Sequence, residues 1–265
     1  MGSRPSRPAV TCCGRTTSRP EAAVPKTIPF LALEFTVRTA PEWRDLFLTP
    51  PPPGGFSYLV TPNVDHIVQL SKRPELGAIY DAADWRMCDS RILEKLGRMR
   101  GLDLACYPGA DLVRDLIEDP RSRALKIAVV GPDPERFRLL REKFPHHDLH
   151  LVEAPFMTPG SAEWEATLAA TEAVQADLTL LCISFPKQEI FARDLKTRGH
   201  ARGQAICAGA SIDFLTGQQK RAPEIFRKTS TEWLYRLLSQ PGRLWKRYLV
   251  DGPRIFAIYL RHRNG

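Results

Sequence analysis

Asp89 is the side chain with the clearest potential for acid–base chemistry. It follows the apolar run from Trp85 to Cys88, which predicts a buried strand, so the carboxyl group is expected at the end of that strand. A carboxylate there could take a proton from an attacking hydroxyl group if partial burial raises its pKa towards neutrality. The alternative is that Asp89-Ser90 caps the helix that follows, and spacing alone favours this cap.

Three other polar motifs also follow predicted strands. They are Thr61-Pro62-Asn63, Gly131-Pro132-Asp133 and Phe185-Pro186-Lys187-Gln188-Glu189. Gln188 could present both a donor and an acceptor to a sugar or to uracil. Gly131 precedes a helix N-terminus, where a nucleotide diphosphate could bind, although an ordinary strand–helix turn is the alternative. Neither a GxGxxG nor a GxxxxGK[ST] motif is present, so a dinucleotide fingerprint or a P-loop is not indicated.

The elements that would position these motifs alternate between strands and helices after Gly55. The predicted strands are Ser57 to Val60, Trp85 to Cys88, Leu125 to Val130, Leu149 to Val152, Leu178 to Ile183 and Gln204 to Cys207. The predicted helices are Val64 to Lys72, Pro74 to Ala82, Arg91 to Arg98, Ala110 to Ile117, Pro134 to Lys143, Ala162 to Gln175 and Lys187 to Thr197. This alternation predicts an α/β, Rossmann-like fold whose mostly parallel sheet has helices on both faces and binds ligands at the carboxyl ends of its strands.

Ahead of these elements, residues 28–48 predict a strand or two and a small helix. Residues 1–26 are rich in Arg, Pro, Ser and Thr and lack the continuous apolar run of a secretory signal, so a disordered leader is expected. The α/β core is expected over residues 27–216. Residues 217–265 then form a separate basic, aromatic and helical segment, the C-terminal appendage.

The charge of the chain is concentrated in this appendage. The 265 residues carry a net charge of +8, and the appendage alone has eleven Lys or Arg against three acids. No apolar run is long enough to cross a bilayer. The six cysteines include no CxxC pair, which is typical of reduced thiols in a cytosolic protein.

Apolar and aromatic residues in the appendage recur at helical spacing between its cations. Trp233, Leu234, Leu237 and Leu238 share one face, and a second face follows the break at Pro241-Gly242. Such helices lie in the interface plane of an anionic bilayer. Two alternatives remain open, namely that the apolar face packs on the protein's own core or that the segment binds nucleic acid.

A metal site is not expected. His146, His147 and His150 lie close together, but no Cys lies nearby and their spacing does not predict a tetrahedral set. The spacing of the three histidines fits a polar loop that leads into a strand. No cofactor is predicted.

Taken in order, these motifs resemble the WecG/TagA/CpsF family of bacterial glycosyltransferases, also called glycosyltransferase family 26. The resemblance covers about residues 28 to 260. Besides the motifs above, it rests on Pro108-Gly109-Ala110-Asp111-Leu112, on Gly209 to Gly217 (GASIDFLTG), on Lys220-Arg221-Ala222-Pro223, and on Glu232 to Leu237 (EWLYRL) running into Pro241 to Tyr248 (PGRLWKRY).

The resemblance implies an inverting hexosyl- or N-acetylhexosaminyl-type transferase that needs no metal. It would move a sugar from a UDP-sugar donor to an undecaprenyl-diphosphate-linked saccharide acceptor in cell-surface or exopolysaccharide synthesis. The implied location is cytoplasmic, peripheral on the anionic inner face of the plasma membrane. Nucleic acid is not an implied partner, and a homo-oligomer is compatible with the resemblance.

The resemblance also implies roles for individual residues. Asp89 corresponds to the general base, and Thr61 and Gln188 to active-site residues that hold substrate. Arg236, Arg243 and Arg247 correspond to cations of the appendage that close over the site, and Asn63, Gly131, Asp213 and Arg221 are further substrate-binding candidates. Without a metal, the departing diphosphate must be neutralised by Arg or by helix ends.

Three positions depart from the family pattern. Ser90 and Ser184 stand where the family usually has Gly, and Cys106 stands where it commonly has Arg. These positions line the expected donor pocket and leave the donor sugar open. A non-catalytic membrane-surface protein with the same fold and a nucleic-acid-binding protein are the alternative functions.

Overall fold

The structure is a computed structural model, and it describes residues 26–51, 54–223, 225–226 and 231–262. The expected leader therefore lies outside the described residues, apart from Lys26. The described chain begins with a hairpin and a helix, continues as one parallel sheet with helices between its strands, and ends in a series of short helices.

A six-stranded, all-parallel sheet forms the centre of the fold. In chain order the strands of the protein are β1 Thr27–Phe30, β2 Leu33–Thr36, β3 Phe56–Val60, β4 Trp85–Arg86, β5 Lys126–Val130, β6 Asp148–Val152, β7 Leu178–Leu181 and β8 Gly203–Cys207. Strands β3 to β8 make the sheet in the order β4-β3-β8-β7-β5-β6, whereas β1 and β2 pair separately and antiparallel. The predicted Rossmann-like fold is confirmed, and each predicted strand is present with ends that differ by one or two residues.

Helices connect the strands on both sides of the sheet. They are α1 Ala40–Leu48, α2 Val64–Lys72, α3 Gly77–Asp81, α4 Arg91–Arg98, α5 Gly109–Glu118, α6 Pro134–Lys143, α7 Ala162–Val174, α8 Lys187–Arg198, α9 Ser211–Leu215, α10 Glu232–Ser239, α11 Pro241–Trp245 and α12 Arg254–Arg261. Short 3-10 turns at Pro74–Leu76 and Pro120–Ala124 and a π-helical turn at Lys246–Asp251 complete the described helical parts. The bounds predicted for α2, α4 and α6 are confirmed to the residue.

Side chains that alternate along the strands bury two separate cores. Along β3, Tyr58 and Val60 face one core and Leu59 faces the other. A sheet buried on both faces favours apolar residues at every position of its strands, which explains continuous runs such as Ile127 to Val130. The helices α5, α6 and α9 cover one face, and α2, α7, α8 and α12 cover the other.

The last helix belongs to one of these cores. Ile255, Ile258 and Tyr259 of α12 are almost completely buried, and the Tyr259 ring lies 6.5 Å from that of Phe30 in the N-terminal hairpin. Arg100 donates hydrogen bonds to the carbonyl oxygens of Tyr259 and His262, and its guanidinium stacks on the Tyr259 ring at 4.2 Å. The chain is thus closed by contacts between its first and last described elements.

The apolar residues of the appendage divide into two sets. Leu237, Leu244, Ile255, Ile258 and Tyr259 are buried, so packing on the protein's own core is the correct alternative for them. Leu238, Trp245, Leu249, Val250, Phe256 and Leu260 stay exposed, by 42% for Val250 and up to 70% for Leu238. Within the described residues, none of the helices combines the length and the hydropathy needed to cross a membrane.

Candidate active site

Asp89 lies where the chain leaves β4, and its carboxyl group is held by the N-terminus of α5. Its Oδ1 accepts a hydrogen bond of 3.1 Å from the backbone N–H of Gly109, and its own N–H donates to the carbonyl of Pro62. The cap of α4 is Ser90, whose hydroxyl accepts from Leu93 N. Asp89 is therefore not a helix cap, and its partly buried carboxyl group is available for other chemistry.

The environment of Asp89 raises its pKa to about 7. Burial is the largest cause, because the low-dielectric surroundings disfavour the carboxylate. The bond from Gly109, the charge of Arg236 and a side-chain hydrogen bond from Asn63 all lower the pKa, while the charge of Glu232 raises it. A carboxyl group balanced in this way exchanges a proton readily near neutral pH.

Thr61 and Asn63 follow β3 and fix the backbone beside Asp89. The Thr61 hydroxyl donates to the Cys207 carbonyl over 3.3 Å, which links the carboxyl ends of β3 and β8. Asn63 caps α2, since its Oδ1 accepts from the N–H groups of Asp65 and His66. This leaves the amide nitrogen of Asn63 to face Asp89.

Gln188 is buried at the start of α8, and both ends of its amide are bonded within the protein. Its Oε1 accepts from Gly209 N over 3.0 Å, and its Nε2 donates to Glu189 Oε1 over 2.9 Å. This geometry favours a positioning role, in which Gln188 holds the backbone after β8.

Gly131 lies at the end of β5, where space and backbone conformation both require glycine. Its φ is +111°, and an added Cβ would lie 2.5 Å from Ile183 Cγ2. Its N–H donates to the Val152 carbonyl, and Asp133 places a carboxylate at the N-cap of α6. These contacts leave few donors for a phosphate group and favour a steric role for Gly131.

Two other candidates pair with charges on neighbouring helices. Asp213 Oδ1 lies 3.3 Å from Arg136 Nε, which joins α9 to α6. Arg221 forms an ion pair with Asp111 on α5. Its guanidinium lies 5.6 Å from the centroid of the Phe214 ring.

The structure brings two of the three predicted appendage arginines to the site. The charge of Arg236 lowers the pKa of Asp89, and the Arg236 guanidinium carbon lies 5.8 Å from the centroid of the Phe214 ring. Arg247 Nε lies 3.3 Å from Asp65 Oδ2 at the first turn of α2. Arg243 is exposed on α11, and no ion pair or hydrogen bond of its side chain occurs among the described residues.

Two carboxyl groups near these residues were not among the predicted site residues. Burial raises the pKa of Glu189 to about 7, and its Oε2 has no hydrogen-bond partner among the described residues. Glu232 precedes Arg236 by one helical turn on α10, so both side chains point the same way. That spacing was the available sequence signal for Glu232, and the apolar residue Ala192, three positions after Glu189 on α8, was the signal for Glu189.

The three departures from the family pattern have local explanations. Ser90 caps α4, as described above. Ser184 has a φ of +63°, a conformation that favours glycine, so the usual Gly at this position has a steric reason. Cys106 lies within hydrogen-bonding contact of the Cys88 thiol, and this contact together with burial raises the pKa of Cys106.

These residues together can activate a hydroxyl group beside a positively charged surface. Asp89 supplies a carboxylate, and Arg236 and Arg247 bring cations from the appendage. No group of three or more potential ligand side chains within the described parts of the chain could hold a metal ion. A groove of about 480 Å³ along α6 and β6 is lined by none of the residues discussed so far as site candidates.

Comparison with known protein families adds one finding. The sequence model of the glycosyl transferase WecG/TagA/CpsF family matches residues 28–265. The match includes the whole parallel sheet, every site candidate and the appendage.

Proposed function

Because this chain belongs to the WecG/TagA/CpsF family of glycosyltransferases, we propose that it transfers a hexosyl or N-acetylhexosaminyl group from a UDP-sugar to an undecaprenyl-diphosphate-linked saccharide. The transfer inverts the anomeric centre and serves synthesis of a cell-surface or exopolysaccharide. The observation that carries this proposal is the partly buried Asp89, whose pKa is raised to about 7 beside a cationic helix.

Asp89 acts as the general base. Its carboxylate takes the proton of an acceptor hydroxyl group while the hydroxyl oxygen attacks the anomeric carbon of the donor. The bond from that carbon to the diphosphate oxygen breaks on the opposite face, so UDP leaves and the configuration inverts. The Gly109 N–H fixes the orientation of the base, as efficient proton transfer requires.

The appendage supplies positive charge for the departing UDP. The positive charge of Arg236 lowers the pKa of Asp89. Arg247 lies at the first turn of α2, where it forms an ion pair with Asp65. Fixed cations in a partly buried site stabilise developing negative charge more strongly than water does. The core, residues 27–216, and the appendage, residues 217–265, are therefore proposed to form one active site together.

The remaining candidates act mainly on position. Thr61 and Gln188 hold the ends of β3 and β8, and Asn63 orients the Asp89 carboxyl group. Gly131 keeps the end of β5 free of side-chain bulk. Asp213 and Arg221 fix α9 and the start of the appendage.

The exposed apolar face of the appendage is proposed to lie on the inner face of the bacterial plasma membrane. Leu238, Trp245 and Leu249 are more than half exposed and are interspersed with Arg243 and Lys246. Apolar side chains insert into the interface, and each cation near an anionic surface adds about 1 kcal/mol. This location would bring the site to its lipid-linked acceptor.

The test is sugar transfer measured with a panel of UDP-sugars and a polyprenyl-diphosphate-linked saccharide. Transfer by the unaltered chain, with loss of about 10²- to 10⁴-fold in Asp89→Asn, is expected for a general base. The matched control is Asp103→Asn, since Asp103 is exposed on the loop that leads to α5. Full activity in Asp89→Asn would refute the assignment of the base.

A further inference from the structure

A small polar cavity lies between the loop after α9 and helix α10. Its volume is about 200 Å³. Gln218, Gln219 and Lys220 line it from the loop, and Arg236, Ser239 and Gln240 line it from α10 and its C-cap. At about 30 Å³ for each water molecule, this is room for six or seven waters, which is the scale of a single sugar ring.

The chemistry of the lining suits a saccharide next to phosphate. The three glutamine amides each offer a donor and an acceptor, which is what the hydroxyl groups of a sugar require. Lys220 and Arg236 add two cations, and no carboxylate occurs among the described lining residues. A neutral, polyhydroxylated ligand with an attached anion matches this set of groups.

The walls of the cavity are held in place before any ligand binds. Gln219 N donates to the Asp213 carbonyl over 3.0 Å, which fixes the loop against α9. Gln240 N donates to the Arg236 carbonyl over 3.0 Å and closes the last turn of α10. Pre-formed walls reduce the entropy that a ligand loses on binding.

Arg236 connects this cavity to the candidate base. Arg236 is one of the residues that line the cavity, and its charge also acts on Asp89. Its Nε is buried and has no hydrogen-bond partner among the described residues. A ligand in the cavity would therefore lie against the side chain whose charge acts on Asp89.

An apolar surface adjoins the cavity. Leu238 is 70% exposed and directly precedes Ser239, which lines the cavity. Trp245 is 52% exposed on the next helix. A ligand with a polar head and a lipid chain could bind its head in the cavity and its chain on the exposed apolar surface. A free nucleotide sugar has no lipid chain to contact that surface.

Building on the proposed function, we propose that this cavity binds the saccharide of the lipid-linked acceptor, with its diphosphate towards Lys220. The donor then occupies the carboxyl ends of the strands, where open α/β sheets bind ligands. The two substrates would meet at Asp89, the acceptor entering from the appendage side and the donor from the sheet.

The test uses the double variant Gln219→Ala, Gln240→Ala of the full chain. The probe is a water-soluble, short-chain prenyl-diphosphate monosaccharide. Loss of the two amides is expected to raise the KM for this probe by roughly thirtyfold, since each hydrogen bond contributes about 1 kcal/mol and each 1.4 kcal/mol is a factor of about ten. The kcat and the Kd for the UDP-sugar, measured by calorimetry, should stay within about twofold.

Gln69→Ala is the matched control, because Gln69 lies on α2 and does not line the cavity. Equal melting temperatures of the variants would show that the fold is intact. An unchanged KM for the probe, or a weakened Kd for the UDP-sugar in its place, would overturn the assignment. Direct binding of the probe without donor separates the two proposals. If the unaltered chain binds the probe and transfers nothing, and the double variant binds it more weakly, the cavity assignment stands and the transfer reaction is refuted.

Discussion

The pH dependence of transfer follows from the environment of Asp89. Only its carboxylate can accept a proton, and its pKa is raised to about 7. The fraction in the carboxylate form is then about 9% at pH 6 and about 91% at pH 8, so kcat/KM should rise about tenfold between them and level off above. The assay is initial-rate transfer at subsaturating donor and acceptor across pH 5.5 to about 9.

A second carboxyl group complicates the assignment, because the pKa of Glu189 is also raised to about 7. Glu189→Gln keeps an oxygen that can accept from Gln188 Nε2. This variant is therefore expected to retain the rise of kcat/KM near pH 7, called the pH limb below. Asp89→Asn retains the bond from Gly109 and should lose the limb together with most of the activity. His66 does not interfere, since burial lowers its pKa to about 3.

Two neighbours of Asp89 should move the limb in opposite directions. Arg236 lowers the pKa of Asp89 and Glu232 raises it. Arg236→Gln should therefore shift the limb to higher pH, and Glu232→Gln should shift it to lower pH. A limb that persists in Asp89→Asn, or one that disappears in Glu189→Gln, would refute the reasoning.

Stability provides an independent check on the same group. Because the pKa of Asp89 is raised in the folded state from 3.8 to about 7, its contribution to stability is present below the unfolded value and is lost as pH rises from about 4 to about 7. Asp89→Asn has no ionisable group at this position, so the variant does not lose stability in this way as the pH rises. The inactive variant is therefore expected to melt no lower than the unaltered chain at pH 8, which separates lost catalysis from lost folding.

Three further predictions concern the scaffold and its surface. Arg100→Ala should lower the unfolding free energy by about 2 kcal/mol in denaturant titration, because it removes two charged hydrogen bonds and a cation–π contact to α12. Arg98→Ala is the control and should be neutral, since the Arg98 side chain is 77% exposed. Equal losses in the two variants would contradict the docking of α12 through Arg100. Ser184→Gly should raise the melting temperature by relieving a left-handed conformation worth about 1 kcal/mol, whereas Ser90→Ala should lower it by removing a cap worth about 1 kcal/mol. The double variant Trp245→Ser, Leu249→Ser should reduce co-sedimentation with anionic liposomes more than tenfold, since each side chain contributes about 1.5–3 kcal/mol when buried. Phe156→Ser, on the loop after β6, is the exposed aromatic control. An equal reduction in this control would count against a specific membrane face.

The parallel sheet could be predicted because its strands and helices have strong local signals. The β-branched and apolar run Leu178 to Leu181 and the start signals Asn63 and Asp133 define their elements without help from distant residues. The short strand Trp85–Arg86 was predicted two residues too long. Met87 N still donates to the Val60 carbonyl, but the paired register with β3 ends at Arg86, and Met87 and Cys88 are buried beyond it. Burial and strand pairing are distinct, and an apolar pattern reports burial alone.

The relations within the candidate site were harder to predict because they depend on long-range packing. That Asp89 bonds to Gly109 and Ser90 takes the cap cannot be read from adjacent Asp and Ser, which have similar preferences at that position. The internal bonds of Gln188 depend on where β8 places Gly209. The sequence also does not show which apolar residues of the appendage are buried and which are exposed. Apolar residues have the same helical spacing whether their face packs on a protein core or lies on a bilayer.

That division has a consequence for experiments that shorten the chain. Removal of residues 229–265 would eliminate the cations, and it would also uncover the core that Ile255, Ile258 and Tyr259 complete. Substitutions on the exposed face separate these effects, since they leave the buried residues in place. They are the appropriate probes of membrane binding.

The contact between Phe30 and Tyr259 also bears on how the protein is made. A ribosome releases the N-terminal hairpin long before it has synthesised α12, so the ring of Phe30 lacks its Tyr259 partner until α12 has been made. Pairings between such distant parts of a chain form late, because closing the intervening loop costs entropy. A nascent chain can assemble the sheet while it is still attached, yet the appendage that carries Arg236 and Arg247 is not held in place until α12 is free to dock. The order of synthesis thus delays the full set of charges near the base until α12 has emerged.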